Sequence, residues 1–237
     1  MKVIGGRSNY GYDIGVLMLD TVFPRIRGDI GNAGTFPFPV KYKIITNAVP
    51  AKVVEDYGEG LLPAFVAGAR ELDGEGVRAI TTSCGFLAVF QRELAEAVNI
   101  PVFSSSLIQI PLVEKMLGSG KSIIIVTANS KTLSERHFQG VGVARNGLKI
   151  IGLQDRDEFY SVFVKQKIEL DIAKVQAELQ SVAEQIKSDS PEAGAIVLEC
   201  TNLPPFRHIF QRITGLPVFD IVTLVKHIHS SVGEHLF

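Results

Sequence analysis

The sequence predicts an α/β fold made of two similar halves, each built on a parallel sheet. The first observation is a repeat at a constant offset of 116 residues, which indicates a duplicated structural unit. The offset links three pairs: Ala79 with Ala195, Cys84 with Cys200, and Pro101 with Pro217. The second observation is that strand patterns alternate with helical patterns along the whole chain, which is typical of parallel α/β sheets. The chain's two cysteines therefore occupy equivalent positions in two similar units.

Each repeated unit is predicted to be a strand, a helix and a second strand. Segments 78–83 and 194–198 are short, apolar and rich in β-branched residues, as buried strands are. After Cys84, apolar residues recur at a spacing of four, which indicates a helix. Pro101 and Pro217 end the two helices and open the next strands. Ligands of such sheets bind beyond the carboxyl ends of the strands, where both cysteines fall.

The remaining elements of the first half surround this unit. Apolar patterning predicts strands over 14–19 and 42–47, and a helix over 61–72 whose apolar residues share one face. Between the two strands, segment 20–39 is irregular and rich in Gly and Pro. Loops of this length inside compact domains often cover a site.

The second half repeats the alternation. Its predicted elements are a helix over 107–117, a strand over 122–127, a helix over 131–138, a strand over 148–153, a long helix over 168–186 and a final helix over 221–232. The apolar residues of the long helix alternate spacings of four and three, a pattern that also occurs in coiled-coil seams. We favour a helix that packs on its own sheet, because helices that cover a sheet need such a face.

Composition argues against several classes of function. Apolar residues make up 46% and charged residues 21% of the chain, which fits a well-packed soluble protein. The formal net charge of −1 gives no electrostatic basis for binding nucleic acid or an anionic membrane. No apolar run reaches the ~20 residues that span a bilayer, and segment 1–7 lacks an apolar signal core. We therefore expect a cytoplasmic protein with free thiols, although the cysteines could lie close enough in space to form a disulfide.

Cys84 and Cys200 are the candidate catalytic residues. A single free cysteine is often only a small buried apolar residue, but two at equivalent strand-to-helix junctions indicate a shared role. A thiol at a helix N-terminus faces backbone N–H groups and the positive end of the helix dipole, which can lower its pKa from about 8.5 toward neutrality. Two thiols that face each other across a cleft suit a reaction in which a planar carbanion loses a proton on one side and gains one on the other.

These residues resemble the cofactor-independent aspartate/glutamate racemase superfamily, which also contains hydantoin racemases, maleate isomerases and arylmalonate decarboxylases. Segment 200–204, Cys-Thr-Asn-Leu-Pro, is similar to the family's second Cys-Thr-x-hydrophobic-Pro motif, and Thr-Ser-Cys at 82–84 occupies the place of the first catalytic cysteine. The resemblance implies an active site in the cleft between the halves, with Cys84 and Cys200 as the two acid/base residues. It also implies that no metal, pyridoxal phosphate or nucleotide is needed.

The same resemblance sets the expected domain boundaries. It implies that the last helix packs back on the first half. The first half is then discontinuous and consists of 1–106 with 221–237, and the second half is 107–220.

The resemblance further assigns residues that line the carboxylate of a substrate: Ser83, Gly85, Thr201 and Asn202. Many amino-acid racemases of the family have Cys-Asn-Thr at the first site, where this chain has Cys-Gly-Phe. This departure weakens the case for an ordinary α-amino acid and leaves room for a cyclic or hydroxylated acid.

The end of the first predicted strand supplies three further candidates. Asp20 and Thr21 stand where family members have substrate-contacting residues. Arg25 is a candidate carboxylate clamp, because a guanidinium binds a carboxylate through two hydrogen bonds; pairing with Asp29 is an equally good explanation. Glu199 directly precedes Cys200, but strand alternation places its side chain on the opposite side, so we assign it no role.

The sequence thus predicts a cofactor-independent racemase or epimerase that inverts the carbon next to a carboxylate. Its expected partner is a small carboxylate substrate, and a homo-oligomer stays open. A maleate-type cis–trans isomerase and a hydantoin-type racemase are alternatives within the family. The second cysteine argues against the decarboxylase branch, which keeps one. A non-catalytic protein that binds an acidic metabolite is the alternative from another class.

Overall fold

A computed structural model describes residues 5–145 and 147–233 of the chain. These residues form two four-stranded sheets in which every strand pair is parallel. The strands are β1 (Ile14–Leu19), β2 (Val40–Ile45), β3 (Ala79–Thr82), β4 (Val102–Phe103), β5 (Ser122–Thr127), β6 (Leu148–Gly152), β7 (Ala193–Leu198) and β8 (Val218–Phe219). The sheet orders are β2-β1-β3-β4 and β6-β5-β7-β8, so the second sheet repeats the first. The predicted α/β class with two similar parallel halves is confirmed.

Helices flank both sheets. They are α1 (Pro50–Val54), α2 (Leu62–Gly74), α3 (Gln91–Ala97), α4 (Ile110–Met116), α5 (Glu135–Gly140), α6 (Asp157–Phe163), α7 (Ile172–Asp189), α8 (Arg207–Thr214) and α9 (Ile221–Val232). Short 3-10 segments precede several of them, at Gly85–Phe90, Ser106–Gln109 and Pro204–Phe206, with another at Ala33–Thr35.

Caps explain where the structure departs from the predicted helix boundaries. The helix predicted over 131–138 begins at Glu135, because Ser134 and His137 form a reciprocal capping box there. The helix predicted over 168–186 begins at Ile172, where the Asp171 side chain accepts a hydrogen bond from the Lys174 N–H. Ile168 lies before this cap and is 72% exposed.

The apolar stripe of α7 faces the core of its own chain. Val175, Leu179, Val182 and Ile186 are buried in the main hydrophobic cluster, together with residues of β5 and β7. The coiled-coil alternative for this helix is therefore wrong.

The last helix, α9, packs on the first sheet although it follows the second in sequence. Four of its residues, Ile221, Val222, Leu224 and Val225, share a hydrophobic cluster with residues of β1, β3 and β4. This contact agrees with the expected position of the helix. The domain boundaries 1–106 with 221–237 and 107–220 stay a prediction, and residues 1–4 and 234–237 lie outside the described residues.

Candidate active site

One cavity brings both cysteines together at the carboxyl ends of the central strands. Its empty volume is about 380 Å³, counting the solvent at its open mouth. Seventeen residues line it: Leu19, Thr21, Phe23, Arg25, Pro50, Val54, Ser83, Cys84, Gly85, Phe86, Ala128, Phe163, Val164, Glu199, Cys200, Thr201 and Asn202. Both sheets contribute, so the site lies between the halves, at the edge where parallel sheets bind ligands.

Equivalent backbone turns present the two thiols. β3 ends at Thr82 and β7 at Leu198, and a cysteine follows two residues later in each case. Cys84 is extended, with φ −151° and ψ 122°, before the 3-10 segment begins at Gly85. Both thiols are free and mostly buried, with 9% of Cys84 and 8% of Cys200 exposed. The expectation of free thiols agrees with this arrangement.

Hydrogen bonds between the halves hold the two cysteine segments against each other. The Thr201 hydroxyl donates to the Ser83 carbonyl at 2.5 Å, and the Ser106 hydroxyl donates to the Leu198 carbonyl at 2.7 Å. Within the first half, the Ser83 hydroxyl accepts from the Leu19 N–H at 2.8 Å and ties the first cysteine segment to the end of β1. Because all these groups are buried, the bonds fix the relative position of the segments that carry the thiols.

The thiols are weaker acids than the sequence suggests. Burial, followed by the charge of Glu199, raises the pKa of Cys84 to about 12, although the N–H groups of Phe86 and Leu87 lower it. Burial and Glu199 also raise the pKa of Cys200 well above its ordinary value. The expectation of a lowered pKa is wrong, because two backbone donors at a short 3-10 segment do not offset desolvation and a nearby carboxylate. Both cysteines are thiols at neutral pH in the free protein.

Glu199 lines the cavity, which corrects its assignment to the opposite side of the strand. Alternation of side chains holds only within a strand, and β7 ends at Leu198, before Glu199. Its Oε2 accepts a hydrogen bond from the Thr127 hydroxyl at 2.7 Å, while its buried Oε1 has no hydrogen-bonding partner among the described residues. Burial raises the pKa of Glu199 to about 8.

A network of polar side chains connects the loop after β1 to Cys200. Arg25 donates to Asp29 Oδ1 at 2.6 Å and to the Thr21 hydroxyl at 3.1 Å. Asn202 Nδ2 donates to Asp29 Oδ2 at 2.7 Å, and the Cys200 thiol donates to Asn202 Oδ1 at 3.7 Å. Asp29 therefore fixes the Asn202 amide so that its oxygen faces the thiol. Arg25 is paired with Asp29 and also lines the cavity; its role as a carboxylate clamp stays a prediction.

Asp20 is the one predicted site residue that does not line the cavity. Its carboxylate accepts a hydrogen bond from the Asn47 N–H at 3.1 Å instead, which joins the ends of β1 and β2. The other eight predicted residues all line the cavity: Thr21, Arg25, Ser83, Cys84, Gly85, Cys200, Thr201 and Asn202. Sequence reasoning missed Glu199. It also missed Phe163 and Val164 at the end of α6, and for these two residues the sequence carries no signal.

Gly85 and Glu199 are sterically complementary. A Cβ at position 85 would collide with both the carbonyl and the carboxylate of Glu199. The glycine that departs from the family's Cys-Asn-Thr pattern is thus the residue that leaves room for this carboxylate.

We expect Gly85→Ala to displace Glu199 and to destabilise the fold by about 1–3 kcal/mol through overpacking. Any turnover that uses the cavity should fall with it. Thermal unfolding and steady-state kinetics measure the two effects. Gly118→Ala is the matched control, because a Cβ there meets nothing within 4 Å. Equal behaviour of the two variants would show that Gly85 does not constrain Glu199.

The described parts of the chain offer neither a cluster of metal-binding side chains nor a membrane-spanning helix. Residues 5–145 and 147–233 contain no cluster of three or more His, Cys, Asp or Glu side chains that could hold a metal. No helix within those ranges is long and apolar enough to cross a bilayer.

The sequence, the fold and the cavity define one class of protein. A profile of the Asp/Glu/Hydantoin racemase family matches residues 58–226, and the chain belongs to this family. Its fold is similar to that of the allantoin racemase from Klebsiella pneumoniae, with a TM-score of 0.63 and 13% identity, over 92% of this chain and 88% of that one.

Relatives with more similar sequences are named for another activity. The chain is 33% identical to a dimethylsulfoniopropionate lyase from Durusdinium sp. clade D, over 88% of this chain and 71% of that protein. It is 31% identical to dimethylsulfoniopropionate lyase 7 from Emiliania huxleyi, over 89% of this chain and 64% of that protein. The chain thus spans about two thirds of the length of these relatives.

Proposed function

We propose that this protein is a cofactor-independent enzyme that removes a proton from the carbon next to a carboxylate, and that its reaction is the cleavage of dimethylsulfoniopropionate or a similar β-onium carboxylic acid. One observation carries the proposal: two thiols, a carboxylate and an arginine line a single small cavity in a chain 33% identical to a lyase of this substrate. A racemase and such a lyase share their first step, which is abstraction of the α-proton.

The proposed reaction is a β-elimination. A cysteine thiolate takes a proton from the α-carbon and leaves a carbanion whose charge is shared with the carboxylate. The electron pair of the carbanion then becomes the second bond between the α- and β-carbons. The bond from the β-carbon to sulfur breaks, and its electron pair leaves with dimethyl sulfide. The organic product is acrylate, and the proton stays on the cysteine until solvent removes it. Atoms and charge balance without an oxidant, a reductant or a metal.

Arg25 is the proposed carboxylate clamp. It lines the cavity, and its guanidinium is oriented by Asp29 and Thr21. A fixed cation at the substrate carboxylate stabilises the charge that develops on its oxygens when the α-proton leaves. The backbone N–H groups of Phe86 and Leu87, which lower the pKa of Cys84, favour the thiolate in the same step.

Racemisation is the second candidate, and the paired cysteines favour it. Inversion needs one acid/base group on each face of the α-carbon, and the cavity is lined by thiols from both halves. Elimination from an achiral substrate needs only one base.

A direct assay separates these candidates. The protein is incubated with dimethylsulfoniopropionate, and dimethyl sulfide is measured by gas chromatography and acrylate by proton NMR, with Cys84→Ser as the control. Separate enantiomers of aspartate, glutamate and hydantoins are followed by chiral chromatography. We expect equimolar dimethyl sulfide and acrylate. Inversion without elimination would favour the racemase, and turnover of none of these compounds would favour the binding protein.

The raised thiol pKa predicts the direction of the pH dependence. Because the pKa of Cys84 is raised to about 12, the thiolate fraction increases with pH throughout the neutral and mildly alkaline range. We expect kcat/KM, which reports the free enzyme, to rise steadily from pH 7 to pH 9.5 after subtraction of the non-enzymatic reaction. A profile that is flat or falls over this interval would contradict a cysteine base.

A further inference from the structure

The proposed β-elimination gives no role to Glu199, although its side chain is fully buried and lines the cavity. One of its oxygens is held by Thr127, and the other, Oε1, has no hydrogen-bonding partner among the described residues. An unpaired buried carboxylate oxygen is costly. A group that enters the cavity is therefore needed to pair with it.

The surroundings of Glu199 fit a cation that carries alkyl groups. The cavity walls are largely apolar and include the aromatic side chains of Phe86 and Phe163, together with Phe23, whose ring already contacts the Arg25 guanidinium at 4.6 Å. Phe23 and Phe163 contact each other edge to face, with ring centroids 5.3 Å apart. Aromatic rings and a carboxylate together are the chemistry that recognises quaternary ammonium and comparable onium groups.

Once Glu199 ionises, at about pH 8, the cavity carries both signs of charge. Arg25 supplies the cation from the loop after β1, and Glu199 supplies the anion from the end of β7. A substrate with a carboxylate at one end and an onium group at the other complements both.

We propose that the Glu199 carboxylate is the binding site for the onium group of the substrate, and that it selects β-onium carboxylic acids over neutral acids of the same shape. This inference rests on the proposed function, because that function places the substrate carboxylate at Arg25. Gly85 is part of the selection, since only glycine leaves space for the Glu199 carboxylate.

Binding of the onium group also lowers the pKa of the thiol that acts as the base. The charge of Glu199 is the second-largest cause that raises the pKa of both thiols. A bound cation offsets that charge, so the thiol pKa falls when the correct substrate is present. The base then ionises mainly in the substrate complex.

Several ionisable groups surround Glu199. Cys84 of the first half and Cys200 of its own segment interact with its charge, and Arg25 lines the same cavity from the loop after β1. Thr127 on β5 contributes only a hydroxyl. The pKa of Cys84 is raised to about 12 and that of Cys200 well above its ordinary value, whereas the pKa of Glu199 is about 8, so Glu199 ionises between pH 7 and pH 9.

Two analogues of the substrate, one with nitrogen and one with carbon in place of the onium sulfur, test the inference through binding alone. 3-(Trimethylammonio)propionate carries the onium charge, and 4,4-dimethylpentanoate has the same shape without it. Binding of each is measured by isothermal titration calorimetry to the wild type, to Glu199→Gln and to Asp220→Asn. Glu199→Gln keeps the shape of the side chain and removes its charge. Asp220→Asn is the matched control, because it neutralises a buried carboxylate that does not line the cavity.

We expect the wild type to bind the ammonium compound at least about tenfold more tightly than its neutral isostere, and Glu199→Gln to remove this preference. Asp220→Asn should keep it. In the wild type, affinity for the ammonium compound should rise with pH through about 8, where Glu199 ionises, and affinity for the neutral isostere should not. The pH series needs no variant, so a misfolded Glu199→Gln does not prevent the test.

Three results would overturn the inference: equal affinity of the wild type for both isosteres at pH 9, absence of binding of the ammonium compound at that pH, or unchanged preference in a folded Glu199→Gln. The proposed elimination is assessed separately by release of dimethyl sulfide. A protein that releases dimethyl sulfide but shows no charge preference retains the function and loses the role of Glu199.

Discussion

Cys84→Ser is expected to lower the elimination rate by about 10³-fold or more, whereas Cys200→Ser lowers it much less. A serine hydroxyl is a far weaker base than a thiolate near neutral pH. The N–H groups of Phe86 and Leu87 and the charge of Arg25 favour the Cys84 thiolate. Cys200 instead donates its proton to Asn202 Oδ1 and is further disfavoured as an anion by Asp29. If the reaction is an elimination, we therefore expect Cys84 to be the base.

The kcat/KM of both variants for dimethylsulfoniopropionate measures this asymmetry. Circular dichroism and thermal unfolding serve as controls for folding, since both thiols are buried. If the protein inverts a chiral acid instead, both variants should lose activity to the same extent, because inversion uses one thiol on each face. A larger loss in Cys200→Ser than in Cys84→Ser would transfer the role of base to Cys200. Full activity in both variants would remove the thiols from the mechanism.

Arg25→Met is expected to have the largest combined effect on stability and binding. The Arg25 and Asp29 side chains are 11% and 2% exposed and lie 2.6 Å apart. Loss of one member of a buried ion pair leaves the other charge uncompensated, which costs about 3–5 kcal/mol of unfolding free energy. Asp29 also holds Asn202, so the effect extends to Cys200. The substrate carboxylate loses its clamp in addition.

A second substitution separates the two effects of Arg25. Arg25→Met combined with Asp29→Asn removes the uncompensated charge, so we expect urea denaturation to show recovery of most of the lost stability. KM should stay raised by about tenfold or more, because the substrate carboxylate still has no cation. Recovery of both stability and KM in the double variant would show that Arg25 only pairs with Asp29.

Most of the fold follows from local pattern. β1, β5 and α9 have the predicted boundaries of 14–19, 122–127 and 221–232, because each is an uninterrupted apolar or amphipathic segment between strong breakers. The 116-residue offset between the cysteines anticipates the repeated strand order of the two sheets. The boundaries of two other elements were predicted less well. β2 begins at Val40 instead of at position 42, and α5 begins after the Ser134 cap.

The site shows where sequence reasoning ends. The motif and the 116-residue spacing predict that Cys84 and Cys200 share one site. The acidity of the thiols was not predictable, because it depends on burial and on a carboxylate whose position is set by tertiary structure. Glu199 was placed on the wrong side because strand alternation was extended one residue beyond β7. Two adjacent signals could have corrected this: an acidic residue directly before one cysteine and a glycine directly after the other. Asp20 was misplaced for a related reason, since its position at the end of β1 does not show that it binds the Asn47 N–H.

Deuterium exchange tests the central claim, that a cavity thiol removes the proton next to a substrate carboxylate, most directly. The protein is incubated in deuterium oxide with dimethylsulfoniopropionate and, separately, with 3-(trimethylammonio)propionate, whose ammonium group leaves poorly, and proton NMR follows each carbon. The account predicts that the first compound gives acrylate and that the second takes up deuterium only at the carbon next to its carboxylate. In Cys84→Ser, both acrylate formation and deuterium uptake should be lost. Formation of dimethyl sulfide without any exchange in the ammonium compound would contradict a carbanion step. If the ammonium compound keeps its α-proton signal and dimethylsulfoniopropionate is also unchanged, the account as a whole is contradicted.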